Sequence, residues 1–179
     1  KYASVFGLDE KSGVEIVESK SQIADEYPVM AAIGQSNNNI TTVSLSRYVT
    51  ALSSGRLYEY QLMNKIVDNQ GNVIDQYQPN YTDISSVLNA EEWNAIRTGM
   101  NWMAKNYWVL NNFSINIAGK TGTAQQVKTR PNHALFVAYA PYDDPEISIA
   151  TRIAYGYAAS NAVVASRNIL AVYFGVQTV

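Results

Sequence analysis

The sequence predicts an α+β domain organised round an antiparallel three-strand meander. Three observations carry this. In the second half of the chain the apolar pattern turns from helical to extended: "FSINIAGKTGTAQQV", "HALFVAYAP" and "ISIATRIAYG" follow one another with only the polar turns "KTRPN" and "YDDPE" between them. Two amphipathic helical stretches with good capping residues lie upstream, and a third closes the chain. At 179 residues, with 47% hydrophobic and 16% charged side chains, the chain is long and apolar enough for one well-buried domain.

Taken in order, "FGLDEKSGVEI" opens with turn residues and passes into an extended apolar piece. The Gly- and Asn-rich loop "AAIGQSNNNITT" then feeds a helix. Thr41 is its N-cap, Leu45, Tyr48, Val49 and Leu52 recur at helical spacing as one buried stripe, and Gly55 ends it. "LMNKIVDNQGNVIDQY" reads as two strands around a Gly-containing turn, Asn69 to Asn72. In "LNAEEWNAIRTGMNWMAK", Asn89 and Glu92 have capping-box spacing, Leu88 is placed to staple onto Trp93, and Trp93, Ile96, Met100 and Met103 share a face. The closing helix carries a stripe of Val163, Ser166, Ile169, Leu170 and Tyr173. No repeat, low-complexity tract or linker interrupts this order.

Composition removes several classes of function. Thirteen basic against 15 acidic residues give a net charge of −2 with no basic run, which argues against nucleic acid as a partner. The absence of cysteine removes disulfides, thiolate metal sites and a cysteine nucleophile, and the one histidine makes a histidine-based metal centre untenable. No cofactor or metal is expected. The apolar runs fall far short of the roughly 20 residues that span a bilayer, and the N-terminus lacks a signal-peptide pattern. The opening reads as though the chain begins inside a domain.

The stretch with chemistry is "NIAGKTGTAQQV". In a regular strand Lys120 and Gly122 take one face and Thr121 the other. Gly122 lets another backbone come close. At a sheet edge, the free N–H and C=O groups of such a strand bind an extended peptide by strand addition. Lys120, with the hydroxyls of Thr121 and Thr123, suits a terminal carboxylate, and the N–H just past the glycine suits a developing oxyanion. Together these parts fit acyl transfer on a peptide with a free C-terminus. A lysine on an edge strand also serves as a plain guard against aggregation.

Lys-Thr-Gly is one of the motifs of penicillin-recognising serine acyltransferases. "AGKTGTAQ", then "HALFVAYAP", "PEISIATRIAYG" and a final helix resemble the end of a class B penicillin-binding protein transpeptidase domain. "FGLDEKSGVEI", "AIGQSNNNITTVSLSRYVTALSSG" and "EEWNAIRTGM" resemble earlier segments of that family in the same order, so the likeness covers nearly the whole chain. The chain departs from the pattern at Ser36, which replaces a loop glycine, at Thr42 and Ser44, which replace a proline and a glutamine, and at Leu135 and Ala138, which replace a Trp and a Gly. None of these touches the Lys-Thr-Gly positions.

The resemblance implies a penicillin-binding or serine β-lactamase-like fold, with residues 1–179 as the C-terminal portion of the domain and part of the fold upstream. It implies a peptidoglycan D,D-transpeptidase that works through a serine acyl-enzyme on stem peptides ending in D-Ala-D-Ala and is acylated by β-lactam antibiotics. Lys120, Thr121, Gly122 and Thr123 are the implied substrate-binding residues, and the Thr123 N–H is half of an oxyanion hole. No Ser-x-x-Lys occurs in the chain, and the matches Ser36-Asn37-Asn38 and Ser114-Ile115-Asn116 are short enough to be coincidence. The resemblance places the nucleophilic serine and its lysine upstream of Lys1, so no catalytic residue is expected here and these residues alone are expected to be inactive. The rest of its own domain and cell-wall synthesis proteins are the implied partners. The implied location is the extracytoplasmic face of the bacterial membrane, with an upstream helix as anchor. Two other readings share the strand: a penicillin-binding sensor or scaffold without turnover, and a serine β-lactamase. His133 is expected to be structural, and the adjacent pairs Glu91-Glu92 and Asp143-Asp144 to be a helix start and a turn, not an acid–base dyad.

Overall fold

The computed structural model describes residues 2–177. A short helix α1 (Tyr2–Val5) and a single turn α2 (Pro28–Ala31) precede helix α3 (Thr42–Ser54). Strand β1 (Arg56–Tyr58), the hairpin of β2 (Lys65–Val67) and β3 (Val73–Gln76), and β4 (Tyr81–Asp83) lead to helix α4 (Ala90–Lys105). Strands β5 (Ala118–Ala124), β6 (His133–Ala140) and β7 (Ile147–Ile153) and helix α5 (Ala159–Phe174) complete the chain. The three long strands form one antiparallel sheet in the order β5-β6-β7, and two small antiparallel pairs, β1-β4 and β2-β3, stand apart from it.

The helix ends follow from local chemistry. Thr41 accepts a hydrogen bond from the Ser44 N–H, and Gly55 closes α3 at φ 73, the left-handed region that glycine enters without a Cβ clash. At α4 the Asn89 side chain accepts from the Glu92 N–H at 2.9 Å while the Glu92 carboxylate accepts from the Asn89 N–H at 2.8 Å. Leu88 and Trp93 enter the same apolar cluster.

Register sorts the sheet into two faces. Lys120, Gly122 and Ala124 pair with Val137, Leu135 and His133, while Gly119, Thr121 and Thr123 pair with Ala138, Phe136 and Ala134. On the first face, Ala118 and Tyr139 pack with Val49 and Leu52 of α3 and Trp93 and Met100 of α4. On the second, Phe136, Ala138 and Ala134 pack with Ala162, Val163 and Leu170 of α5. The sheet is therefore the middle layer between α3/α4 and α5. α3 is tied to it by the Ser148 hydroxyl, which bonds with Thr50. Arg47, 5% exposed, pins α3 to the first turns: its Nη1 donates to Glu10 Oε1 at 2.8 Å and its Nε to the Tyr58 carbonyl. A buried guanidinium is tolerable only with this degree of pairing.

The segment after "FGLDEKSG" is held by side chains, Glu18 accepting from Ser12 and Glu15 from the Leu62 and Met63 N–H groups, with Ile16 and Val17 exposed. Two expectations change. In α5 the buried row is Ala162, Val163, Ser166, Leu170 and Ala171, and Ile169 and Tyr173 are each 53% exposed. Small residues let the helix lie close on the sheet, and the Ser166 hydroxyl donates to Thr151 Oγ1 at 2.7 Å, so contact distance and not apolar count sets the phase. α3 buries more than one stripe, since Ser44 and Arg47 are buried beside Val49 and Leu52.

Two glycines of β5 play different parts. A Cβ at Gly119 would lie 2.7 Å from Phe136 Cζ and 2.9 Å from the Val137 carbonyl oxygen, whereas at Gly122 the nearest atom is Leu135 Cβ at 3.3 Å. Gly119→Ala is expected to lower unfolding free energy by on the order of 1–3 kcal/mol through overpacking. Gly122→Ala should cost clearly less, and chemical denaturation of the two variants checks the order.

Candidate functional site

The site grows from the alternation of β5. Among the described residues no strand pairs with the outer side of β5, so it is a free sheet edge. Two of its carbonyls accept from outside the sheet: Thr121 O from Lys120 Nζ at 2.9 Å and Thr123 O from Gln35 Nε2 at 3.3 Å. Backbone groups of an antiparallel strand point inward and outward in turn. Thr121 and Thr123, two apart, therefore turn their C=O and N–H groups outward, and Lys120, Gly122 and Ala124 turn theirs toward β6. The N–H just beyond the glycine, that of Thr123, is thereby on the outer side of the strand.

Lys120 is exposed and its ammonium lies back along this edge on the Thr121 carbonyl. Thr121 and Thr123 direct their side chains to the opposite face by register, and neither hydroxyl has a hydrogen-bond partner among the described residues. The lysine and the two hydroxyls thus do not converge from one face; they meet only at the outer edge.

Where β5 ends, an open cleft of ≈ 590 Å³ begins. Its floor is apolar, from Leu8, Ile23, Ile40, Leu45 and Leu135; its rim is polar, from Gln35 through Asn39 and from Gln125 and Gln126; His133 and Arg152 line its far side. Lys120 does not line it. The rim loop is held by its own amides: Asn38 Oδ1 accepts from the Ala24 N–H at 2.8 Å and Asn37 Nδ2 donates to Asp25 Oδ1 at 2.6 Å. Ser36 and Gly34 sit at φ 76 and 78, so the serine holds a left-handed backbone that a glycine adopts at lower steric cost.

His133 belongs to a network. The Tyr155 N–H donates to Nδ1 at 3.1 Å, so the ring proton sits on Nε2 and points at Gln126 Oε1, 3.0 Å away. Arg152 Nη2 lies 3.3 Å from Nε2, against the ring. Burial, and after it the Arg152 charge, hold this imidazole below its ordinary value of 6.5. Its contacts join the β5–β6 connection, through Gln126, to the Tyr155 N–H that follows β7.

Other singled-out residues are structural. Glu92 serves the α4 cap. Asp143 accepts from Asn116 Nδ2 at 3.4 Å, beside the Asn101 amide that donates to Asn116 Oδ1 at 2.7 Å, so Ser114-Ile115-Asn116 forms part of a loop clamp. Among the described residues no group of three metal-ligating side chains comes together. Two participants escaped the sequence reading: Gln35, which reaches β5 across 88 positions, and Arg152, which shares a face with residues of β5 and β6 only through the register. The alternation of "ISIATRI" around a single arginine was the one signal for the latter.

The sheet is covered on both faces and carries the Lys-Thr-Gly strand at an edge unpaired among the described residues. The chain belongs to the penicillin binding protein transpeptidase domain family, whose model matches residues 1–171. It is 28% identical over 183 residues to penicillin-binding protein 2A of Bacillus subtilis, covering 87% of this chain and 25% of that protein. To the peptidoglycan D,D-transpeptidase MrdA of Haemophilus influenzae it is 28% identical over 170 residues, covering 81% of this chain and 25% of the relative. The chain thus spans about a quarter of the length of these curated relatives. Its fold matches the imipenem acyl-enzyme complex of penicillin-binding protein A from M. tuberculosis with a TM-score of 0.85 at 20% identity, over 96% of this chain and 40% of that one. The expected fold class is therefore observed.

The histidine network makes a pH prediction. A base whose folded value is depressed weakens the fold as pH falls below the unfolded value of 6.5, because the unfolded chain takes the proton first, and it contributes nothing above. NMR titration of His133 should give a midpoint below 6.5, and Arg152→Gln should move it upward.

Proposed function

We propose that residues 120–123 bind the D-Ala-D-Ala end of a peptidoglycan stem peptide as an added strand, within a serine D,D-transpeptidase that β-lactams also acylate. The observation that carries this reading is the outward-facing Thr123 N–H and C=O on an unpaired edge, in a chain of this family. In a hydrogen-bonded antiparallel pair two residues exchange both bonds. The peptide residue opposite Thr123 donates its N–H to Thr123 O, taking the place of Gln35, and offers its carbonyl oxygen to the Thr123 N–H. That carbonyl is the one attacked, and the N–H supports the charge that builds on its oxygen.

One residue toward the peptide's C-terminus lies its carboxylate, beside Lys120, whose ammonium attracts it, with the Thr121 and Thr123 hydroxyls as further donors at the edge. Gly122 leaves the peptide's terminal methyl room. The attacking hydroxyl belongs to a serine outside these 179 residues, which contain no Ser-x-x-Lys. Its oxygen bonds to the penultimate D-Ala carbonyl carbon and the terminal D-Ala leaves with a proton. An amine of a second stem peptide then takes the acyl group and restores the hydroxyl. This chemistry places the working protein at the outer face of the bacterial membrane, among cell-wall synthesis proteins; relatives of this fold include a complex of PBP2 with MreC from Helicobacter pylori. No helix of the described residues is long and apolar enough to cross a membrane.

Thr123→Pro removes the outward N–H without breaking a bond to β6. It should weaken binding of a D-Ala-D-Ala peptide by on the order of 10-fold while the sheet's circular dichroism persists; unchanged affinity by calorimetry would refute the strand-edge reading. Incubated with a labelled penicillin, the 179-residue chain should show no stoichiometric mass increase. A covalent adduct would place the nucleophile within it.

A further inference from the structure

The cleft beyond Ala124 carries one formally charged side chain. Arg152 is the only Asp, Glu, Lys or Arg among the residues lining the ≈ 590 Å³ space. It has no carboxylate partner among the described residues, and its hydrogen-bond contacts are to the ring of His133. That ring is committed on both nitrogens, to the Tyr155 N–H and to Gln126. The guanidinium therefore keeps donors free toward the cleft.

Its place relative to the peptide follows from register. This step rests on the strand addition proposed above. If the residue bearing the scissile carbonyl stands opposite Thr123, the residue before it stands opposite Ala124, because the added strand runs antiparallel. Ala124 pairs with His133, and the adjacent register pair on that face joins Leu135 to Arg152. The side chain of that residue shares the face of Ala124 and enters the cleft. From the added strand to β7 is three strand spacings, about 14 Å. An arginine reaching from one side and a side chain of four or five carbons from the other close that distance; a short side chain does not.

We propose that this cleft selects stem peptides in which the residue preceding D-Ala-D-Ala carries a long side chain ending in a carboxylate, and that Arg152 is the group that reads it. A lysine at the same place brings an ammonium toward an unneutralised guanidinium in a cleft with no acid to receive it. The apolar floor accommodates the methylene stem in both cases, so the terminal charge decides. An anion seated on Arg152 also removes part of the charge that opposes protonation of His133, and so gives a readout that a purely structural arginine would lack.

The test uses three N-acetyl peptides, X-D-Ala-D-Ala, with X the long diacid L-2-aminopimelate, its side-chain amide, or lysine, titrated into the chain by calorimetry. The acid should bind about 5- to 10-fold tighter than the amide, as a charge-assisted hydrogen bond in a half-open cleft allows, with the lysine peptide weakest. Arg152→Gln should bring the acid-to-amide ratio close to one, and Arg152→Lys should restore part of it. The acid peptide alone should raise the NMR titration midpoint of His133. Equal binding of acid and amide to the wild-type chain, or a ratio untouched by Arg152→Gln, overturns the inference and leaves the strand-edge reading standing. If none of the three binds, that reading falls and the inference with it.

Discussion

A β-strand alternates twice over, once in its side chains and once in its backbone groups, and in β5 the two alternations run out of step. Residues 120, 122 and 124 spend their amides on β6 and show their side chains to the α3 side of the sheet. Residues 121 and 123 show side chains to α5 and turn their amides outward. A one-residue slip against β6 would exchange these roles: Thr123 would be consumed by the ladder and Gly122 would turn its N–H and C=O outward instead. The strand addition proposed for this edge depends on this parity.

The packing guards that register. Phe136, fully buried, lies across Gly119, and any larger residue there would push the ring off the strand. On the same side α5 approaches closely through Ala162, Ser166 and Ala171, while on the other Val49, Tyr139 and Ala118 interlock. A slip would carry small residues of β5 and β6 out of both seams at once. The Arg47 bridge to Glu10 and Tyr58 does similar work further out, joining the first turns, α3 and β1 through one side chain. The sheet is held rigid on its faces so that its edge can stay unpaired.

What could be read from the chain in advance follows the range of the interactions. Asn89 with Glu92, Thr41 with Ser44 and the left-handed Gly55 are settled within four residues, and each was legible. The strands of the meander announced themselves by composition, and their sequential order made β5 an edge. The pairing of β1 with β4 links residues some 25 positions apart with no periodic signal, and it was missed. So was the phase of α5, because Ile169 and Tyr173 satisfy a helical stripe as well as Ala162 and Ala171 do until the close approach to the sheet decides. At the site, the Lys-Thr-Gly residues were visible as a motif, but the meeting of Arg152, His133 and Gln126 exists only once two turns have been folded. Gln35, in a loop read merely as polar, reaches the site by tertiary placement alone.

That glutamine bears on how such a molecule survives in solution. An unpaired strand edge invites copies of itself to stack, the route by which sheets grow into fibres. A primary amide lodged on the Thr123 carbonyl blocks one rung of that ladder with a bond of 3.3 Å, long enough to be given up at little cost. In the proposed strand addition it is a detachable stopper: weak enough for a correctly shaped guest to dislodge, and tethered to its own loop so that it returns when the guest departs.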